Sequence, residues 1–248
     1  MHEQRTFLVM GANGAIGSSV ALQLRGMGHS IMLAGRNEAE LQQISDEIDA
    51  PFAVADASSI PAFESMAQQC IDRFGGLHGI VNCAGSVLLK PAHLTTEDEF
   101  ASTIADNLTS AFAAVRAAAK TMRTNGGSVV LMASSAGRLG LPNHEAIAAA
   151  KAGVIGLMQS AAATHASKDI RFNAIAPGLV KSKMTRRIWE NEKSAEYSRR
   201  MHPLGRLGEP DEIARLIVWL LDPANSWITG QTIGVDGGLS TVAVANCA

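Results

Sequence analysis

The sequence predicts an α/β fold: one domain, residues 1–248, with three layers built on a doubly wound parallel sheet. Three observations predict it. Short apolar runs alternate with helical patterns from end to end, which implies parallel strands joined by right-handed crossovers. Most of those runs are unbroken rather than alternating, as in strands covered on both faces. A chain of 248 residues, 47% hydrophobic and 18% charged, can bury one large core.

Thr6–Met10 is the first strand, and it runs through a glycine-rich turn into a helix over Ala15–Met27. Strand Ser30–Ala34, helix Asn37–Ile48, strand Pro51–Ala55 and helix Ile60–Phe74 follow, then strand Gly79–Asn82. A long helix over Thr96–Thr124 precedes strand Ser128–Met132, and a helix over Asn143–Ala166 precedes strand Arg171–Ala176. Helix Pro210–Leu221 and strand Thr232–Val235 close the pattern. The segment 181–206 breaks the rhythm: it is rich in charge, carries the only tyrosine, Tyr197, and has no period. It follows the carboxyl end of a strand, where open α/β sheets bind ligands, and reads as a substrate lid or else as a surface excursion.

Net charge is −2, with no basic run or face, which argues against a nucleic-acid partner. Cys70, Cys83 and Cys247 have no CxxC spacing and read as reduced thiols rather than disulfides or metal ligands. Residues 1–10 lack a secretory pattern. The apolar stretch 146–166 carries Lys151, Gln159, Ser160 and Thr164, and is too polar to span a bilayer. These features point to a cytoplasmic protein acting on a small molecule, without membrane or metal.

Gly11-Ala12-Asn13-Gly14-Ala15-Ile16-Gly17 lies between the first strand and first helix. A glycine turn there lets the backbone approach a pyrophosphate, and the helix start supplies unsatisfied N–H groups and a favourable dipole. The second strand ends at Ala34-Gly35-Arg36-Asn37. A dinucleotide site selective for NAD places a carboxylate near this point, whereas an arginine suits a 2′-phosphate, so Arg36 favours NADP(H) over NAD(H).

With these motifs in order, the chain resembles a short-chain dehydrogenase/reductase over nearly its whole length, with an ending like that of 3-oxoacyl-carrier-protein reductases. Gly11 and Gly17 match the family's TGxxxGxG loop, with Met10 in place of Thr and Ala15 in place of the middle Gly. Asp56, followed by Ala57, matches the acidic residue that contacts adenine. Asn82-Cys83-Ala84-Gly85 resembles the NNAG motif, and Asn107 the asparagine of the catalytic tetrad. Pro177-Gly178 matches the PG motif, with Val180 close by, and Ser182 stands where a nicotinamide-contacting Thr is usual. The resemblance implies a Rossmann fold, a nicotinamide cofactor, and a homodimer or homotetramer.

It also implies a Ser, a Tyr and a Lys at the reacting centre. Lys151 matches the lysine, where it would also hold the nicotinamide ribose. Ser134, thirteen positions before residue 147, takes the serine role, with Ser135 the neighbouring alternative. Position 147, where the tyrosine should stand, is Ile147, which has no proton to donate. Three readings follow. A different acid could serve: His144 precedes Lys151 by seven residues, which puts both on one helix face, and Tyr197 and His93 are further candidates. A conjugated alkene could instead take hydride and protonate later from water, with Ser134 and Lys151 steadying the enolate. Or the chain could be a catalytically silent relative that binds NADP(H) as a sensor or structural partner. The helix over 146–166, apolar nearly all round and rich in alanine, should be buried on more than one side, one of them against a second copy.

Overall fold

The computed structural model describes residues 3–243, so Cys247 lies outside the described residues. Seven strands form one all-parallel sheet: β1 (Thr6–Met10), β2 (Ser30–Gly35), β3 (Phe52–Val54), β4 (Gly79–Asn82), β5 (Gly127–Met132), β6 (Ile170–Pro177) and β7 (Thr232–Val235). Their spatial order is β3-β2-β1-β4-β5-β6-β7. The order reverses between β1 and β4, and a crevice opens there at the carboxyl ends of the strands. In register, Phe7 to Met10 of β1 oppose Gly79 to Asn82 of β4.

Successive residues of a strand face opposite layers. Leu8, Met10, Met32 and Ala34 pack beneath α3 (Ile60–Phe74), α5 (Ser110–Thr121) and α6 (Glu145–His165). Phe7, Val9, Ile31 and Leu33 pack beneath α1 (Ala15–Gly26), α2 (Glu38–Ile48) and α9 (Pro210–Leu221). β6 is buried throughout although it carries Arg171 and Asn173. Arg171 donates to the carbonyls of Leu220, Ile228 and Asp222, and Asn173 to that of Ile228, so neither side chain is left unsatisfied.

Three expectations need correction. The helix expected over Thr96–Thr124 is two helices, α4 (Glu97–Ile104) and α5, joined by a single π-turn at Ala105–Thr109. The segment 181–206, which has no sequence period, is not irregular: it holds α7 (Arg186–Trp189) and α8 (Glu192–Met201). α8 is capped by Asn191 and laced by Arg199 to Glu192 and Glu196, and buries only Ala195, so it has no apolar period to read. Finally, Glu145–Lys168 holds an 18-residue window of mean hydropathy 1.4, so it is apolar enough by length and composition to cross a membrane. It packs on β6, α5 and the turn after β5, as a core helix does.

Candidate active site

β1 ends at Met10, and the chain turns over the sheet edge at Gly11, whose φ is +77°. A β-carbon there would sit 2.6 Å from the Ala84 amide nitrogen. One at Gly17 would strike the Gly11 carbonyl, so only glycine lets α1 approach its strand this closely. α1 starts at Gly14 without a side-chain cap, and its first-turn amides are therefore available to an anion.

These amides open onto a cavity of about 780 Å³. Asn13 to Gly17 line one end; Ala84, Gly85, Asn107, Ser134 and Lys151 line the middle; Pro177, Gly178 and Ser182 line the other wall. Gly11 lies beneath the loop rather than on the wall. Asn82 is buried behind it, donating to Ser110 and accepting from the Ala84 amide, which fixes the 82–85 turn. Val180 is buried and Ala57 is packed under α3's face of the sheet, so neither reaches the wall. Arg36 and Asp56 stand outside the cavity, beyond the ends of β2 and β3. The Arg36 guanidinium lies 3.6 Å from Asp106 and is largely exposed. Hydrogen bonds from Ser58, with help from the nearby Arg36 charge, hold the Asp56 carboxyl below its usual range.

Asn107 sits on the π-turn, 2% exposed. Its amide donates to the Thr103 carbonyl and the Ser86 hydroxyl and accepts from the Ser86 amide, so the turn and the 82–86 loop are locked together. Ser134 caps the turn after β5 by accepting from the Ala136 amide, and its hydroxyl hydrogen stays free for the cavity. Ser135 also borders the cavity, but its hydroxyl hydrogen is committed to Asp236 at 2.8 Å. Burial raises the Asp236 carboxyl, but hydrogen bonds from Ser240 and Ser135 more than offset this and hold it low.

Lys151 is 6% exposed and donates to the Met132 carbonyl at 2.7 Å. Burial lowers its pKa to about 8. Burial also pushes the Cys83 thiol on the same wall up to about 12, so that thiol keeps its proton. Ile147, 4% exposed, lines the cavity together with Ser134 and Lys151. α6 begins at Glu145, so His144 is its N-cap rather than part of its first turn, yet it still lines the cavity. His144 Nδ1 lies 2.7 Å from the Pro142 carbonyl, which accepts its proton. In the neutral ring Nε2 then carries a lone pair, and only the doubly protonated ring can donate from it. Tyr197 lines the outer rim and is 60% exposed; His93 is on a surface turn away from the cavity.

His202 is a residue that pattern did not single out. It is buried at the end of the lid, accepting from the Leu179 amide at Nε2 and donating to the Ser198 carbonyl at Nδ1. It thereby ties α8 to the 177–180 loop, and Gly178 lacks a β-carbon where His202 needs the space. A lone histidine in a charged segment gives no periodic signal.

The chain matches a family model described as Enoyl-(Acyl carrier protein) reductase over residues 11–240. A tropinone reductase homologue of Arabidopsis thaliana is 34% identical over 244 residues, 95% of this chain and 91% of the relative. The 3-oxoacyl-[acyl-carrier-protein] reductase FabG of Staphylococcus aureus is 35% identical over 250 residues, covering 96% of this chain and 99% of the relative. Among solved structures, a short-chain type dehydrogenase/reductase from Mycobacterium ulcerans superposes with a TM-score of 0.91 at 31% identity, over 97% of this chain and 91% of the other. Actinorhodin polyketide ketoreductase with NADPH superposes with a TM-score of 0.90 at 25% identity, over 96% and 98%.

Proposed function

This chain belongs to the short-chain dehydrogenase/reductase family, and on that premise we propose that it is an NADP(H)-dependent oxidoreductase passing hydride to a 3-oxoacyl-like carbonyl or an activated alkene. The observation that carries the reading is one cavity lined by a glycine phosphate loop, Asn107, Ser134 and Lys151. Relatives named as 3-oxoacyl-carrier-protein and tropinone reductases, and a structural neighbour described with NADPH, support it.

Bound nicotinamide supplies the hydride. The amides at the start of α1 hold the pyrophosphate over Gly11 to Gly17, Arg36 meets the 2′-phosphate, and Asp56 with Ala57 borders adenine. Asn82, Ala84 and Gly85 flank the ribose, while Pro177, Gly178, Val180 and Ser182 set the nicotinamide wall, Asn82 and Val180 from behind. Ser134 donates its free hydroxyl hydrogen to the substrate oxygen. Lys151, oriented by the Met132 carbonyl, holds ribose hydroxyls and offsets charge developing on that oxygen. Ile147 excludes water from this side and gives no proton. The proton comes either from His144 as an imidazolium or, for an enolate, from water after hydride arrival.

NADPH consumption with an acetoacetyl thioester and a crotonyl thioester tests this directly. Turnover of at least one is expected. Failure with both, alongside tight NADPH binding, would favour a second reading, a silent NADP(H)-binding relative, which the buried Ile147 supports. Arg36→Ala is expected to weaken NADPH about 10- to 100-fold while leaving NADH nearly unchanged, the worth of charged hydrogen bonds to one phosphate. Equal losses for both dinucleotides would remove the NADP(H) preference.

The setting that fits is a reducing cytoplasm, Cys70 and Cys83 being free thiols. Self-association fits too. α6 buries one side and exposes Ala149, Ala152, Gly156 and Ala163, and α5 exposes Phe112, which leaves the side expected to meet a second copy uncovered in the single chain. A dimer or tetramer would cover this face, and a monomer by light scattering at micromolar concentration would refute it.

A further inference from the structure

The segment 181–206 and the phosphate loop both line the cavity, and one chain of contacts joins them. Lys183, the residue after Ser182, reaches Glu40 in the first turn of α2, Nζ to Oε1 at 2.8 Å, across 143 residues of sequence. The other oxygen of the same carboxylate accepts from the Asn13 side-chain amide at 2.9 Å. Asn13 belongs to the phosphate loop, and its Oδ1 fills the space that a β-carbon at Gly35 would need. All three residues line the cavity.

The rest of the lid is anchored elsewhere. Lys181 pairs with Glu209, Thr185 donates to the Val180 carbonyl, Trp189 donates to the Ser182 carbonyl, and His202 ties down the far end. Among the described residues, Lys183 to Glu40 is the one hydrogen bond between segment 181–206 and the chain before residue 50. The hydrogen bonds from Lys183 and then Asn13 hold the Glu40 carboxyl below its usual range, so it stays charged at neutral pH.

We propose that Lys183 and Glu40 form a clasp across the pyrophosphate stretch of the bound dinucleotide, and that this pair sets how long the cofactor stays. The inference rests on reading the cavity as an NADP(H) site. The pair joins the residue after Ser182 to a carboxylate that is bonded to Asn13, on the wall that also holds the Gly14 to Gly17 amides read as the pyrophosphate site. The cofactor therefore leaves only when the pair opens. Lys183 is 83% exposed in its side chain, so its pair with Glu40 is a weak latch, open often enough for exchange.

The test is the release rate of NADPH from the full-length protein, followed by its fluorescence. Lys183→Met and Glu40→Gln are each expected to speed release about three- to fivefold at low ionic strength, with the difference fading near about 0.5 M salt. Glu40→Gln keeps an acceptor for Asn13, which isolates the charge. The exchanged pair, Lys183→Glu with Glu40→Lys, is expected to return release to within about twofold of the original. Release from the exchanged pair as fast as from the single variants would overturn the clasp. So would slower release from Glu40→Gln with faster release from Lys183→Met, which would make Lys183 a direct phosphate ligand.

Amide hydrogen exchange across 182–189 in the cofactor-free protein provides a separate readout: both single variants should exchange faster there. Unchanged exchange together with unchanged release would overturn the clasp alone. A natural protein that binds no NADPH would overturn the cofactor reading and the clasp with it.

Discussion

Ile147→Tyr is expected to raise the rate of ketone reduction by about 100-fold, at the lower end of what a positioned general acid contributes. The position is one helical turn before Lys151 on α6, and it lines the same cavity as Ser134 and Lys151. A phenol there would hand its proton to the oxygen that Ser134 engages, and the Lys151 ammonium would lower the phenol's pKa. The cavity side offers room for the ring, which limits the overpacking cost of a larger side chain in a buried site. The crotonyl thioester should show no comparable gain, because an enolate protonated at carbon by water does not need this acid. The measurement is kcat with each thioester, alongside NADPH affinity to show that the site is intact. An unchanged ketone rate with intact NADPH binding would mean that Ser134, Lys151 and residue 147 do not share a reacting centre.

NADPH affinity is expected to fall as pH rises through about 8, where buried Lys151 loses its proton. In the proposed site the ammonium would hold ribose hydroxyls and offset anionic charge, and the neutral amine above that pH would do neither as well. Stability of the cofactor-free protein should move the other way. In the unfolded chain the lysine keeps its ordinary value of 10.5, so between about 8 and 10.5 the unfolded state binds more protons than the folded one. Unfolding is then increasingly disfavoured as pH rises across that window, and below it the buried charge is a constant cost. Opposite slopes for affinity and stability are the signature. Lys151→Met should flatten both, as read by NADPH titration and thermal melts from about pH 7 to 10. Equal pH dependence in the natural protein and in Lys151→Met would assign the transition to another group.

The strands were legible because a parallel sheet covered by helices demands unbroken apolar runs, and β1, β2, β4 and β5 lie within a residue of where those runs fall. Polar residues did not hide β6, since its Arg171 and Asn173 are satisfied by carbonyls near the end of α9, which no local pattern encodes. α8 stayed hidden for the opposite reason: charge pairs hold it, not an apolar stripe. The glycine turn after β1 was readable because its backbone geometry admits no β-carbon at Gly11 or Gly17. Spacing from residue 147 favours Ser134 over its neighbour Ser135 for the serine role. What spacing does not show is that the Asp236 carboxylate, 101 residues away, takes the Ser135 hydroxyl hydrogen. His144 shows the limit of spacing arguments: α6 starts one residue after it, and a hydrogen bond to the Pro142 carbonyl decides which of its nitrogens carries the proton.

The π-turn at Ala105–Thr109 also solves a problem of angular bookkeeping. Each residue of an α-helix advances the side chains by about 100°, so one straight rod over 97–121 would present a single stripe to its neighbours. The turn closes its ring one residue later and resets that phase. α4 then meets α6, while α5 meets α3 and the sheet as well as α6. The slip falls at Asn107, so the residue that locks the 82–86 loop stands where the two stripes part company.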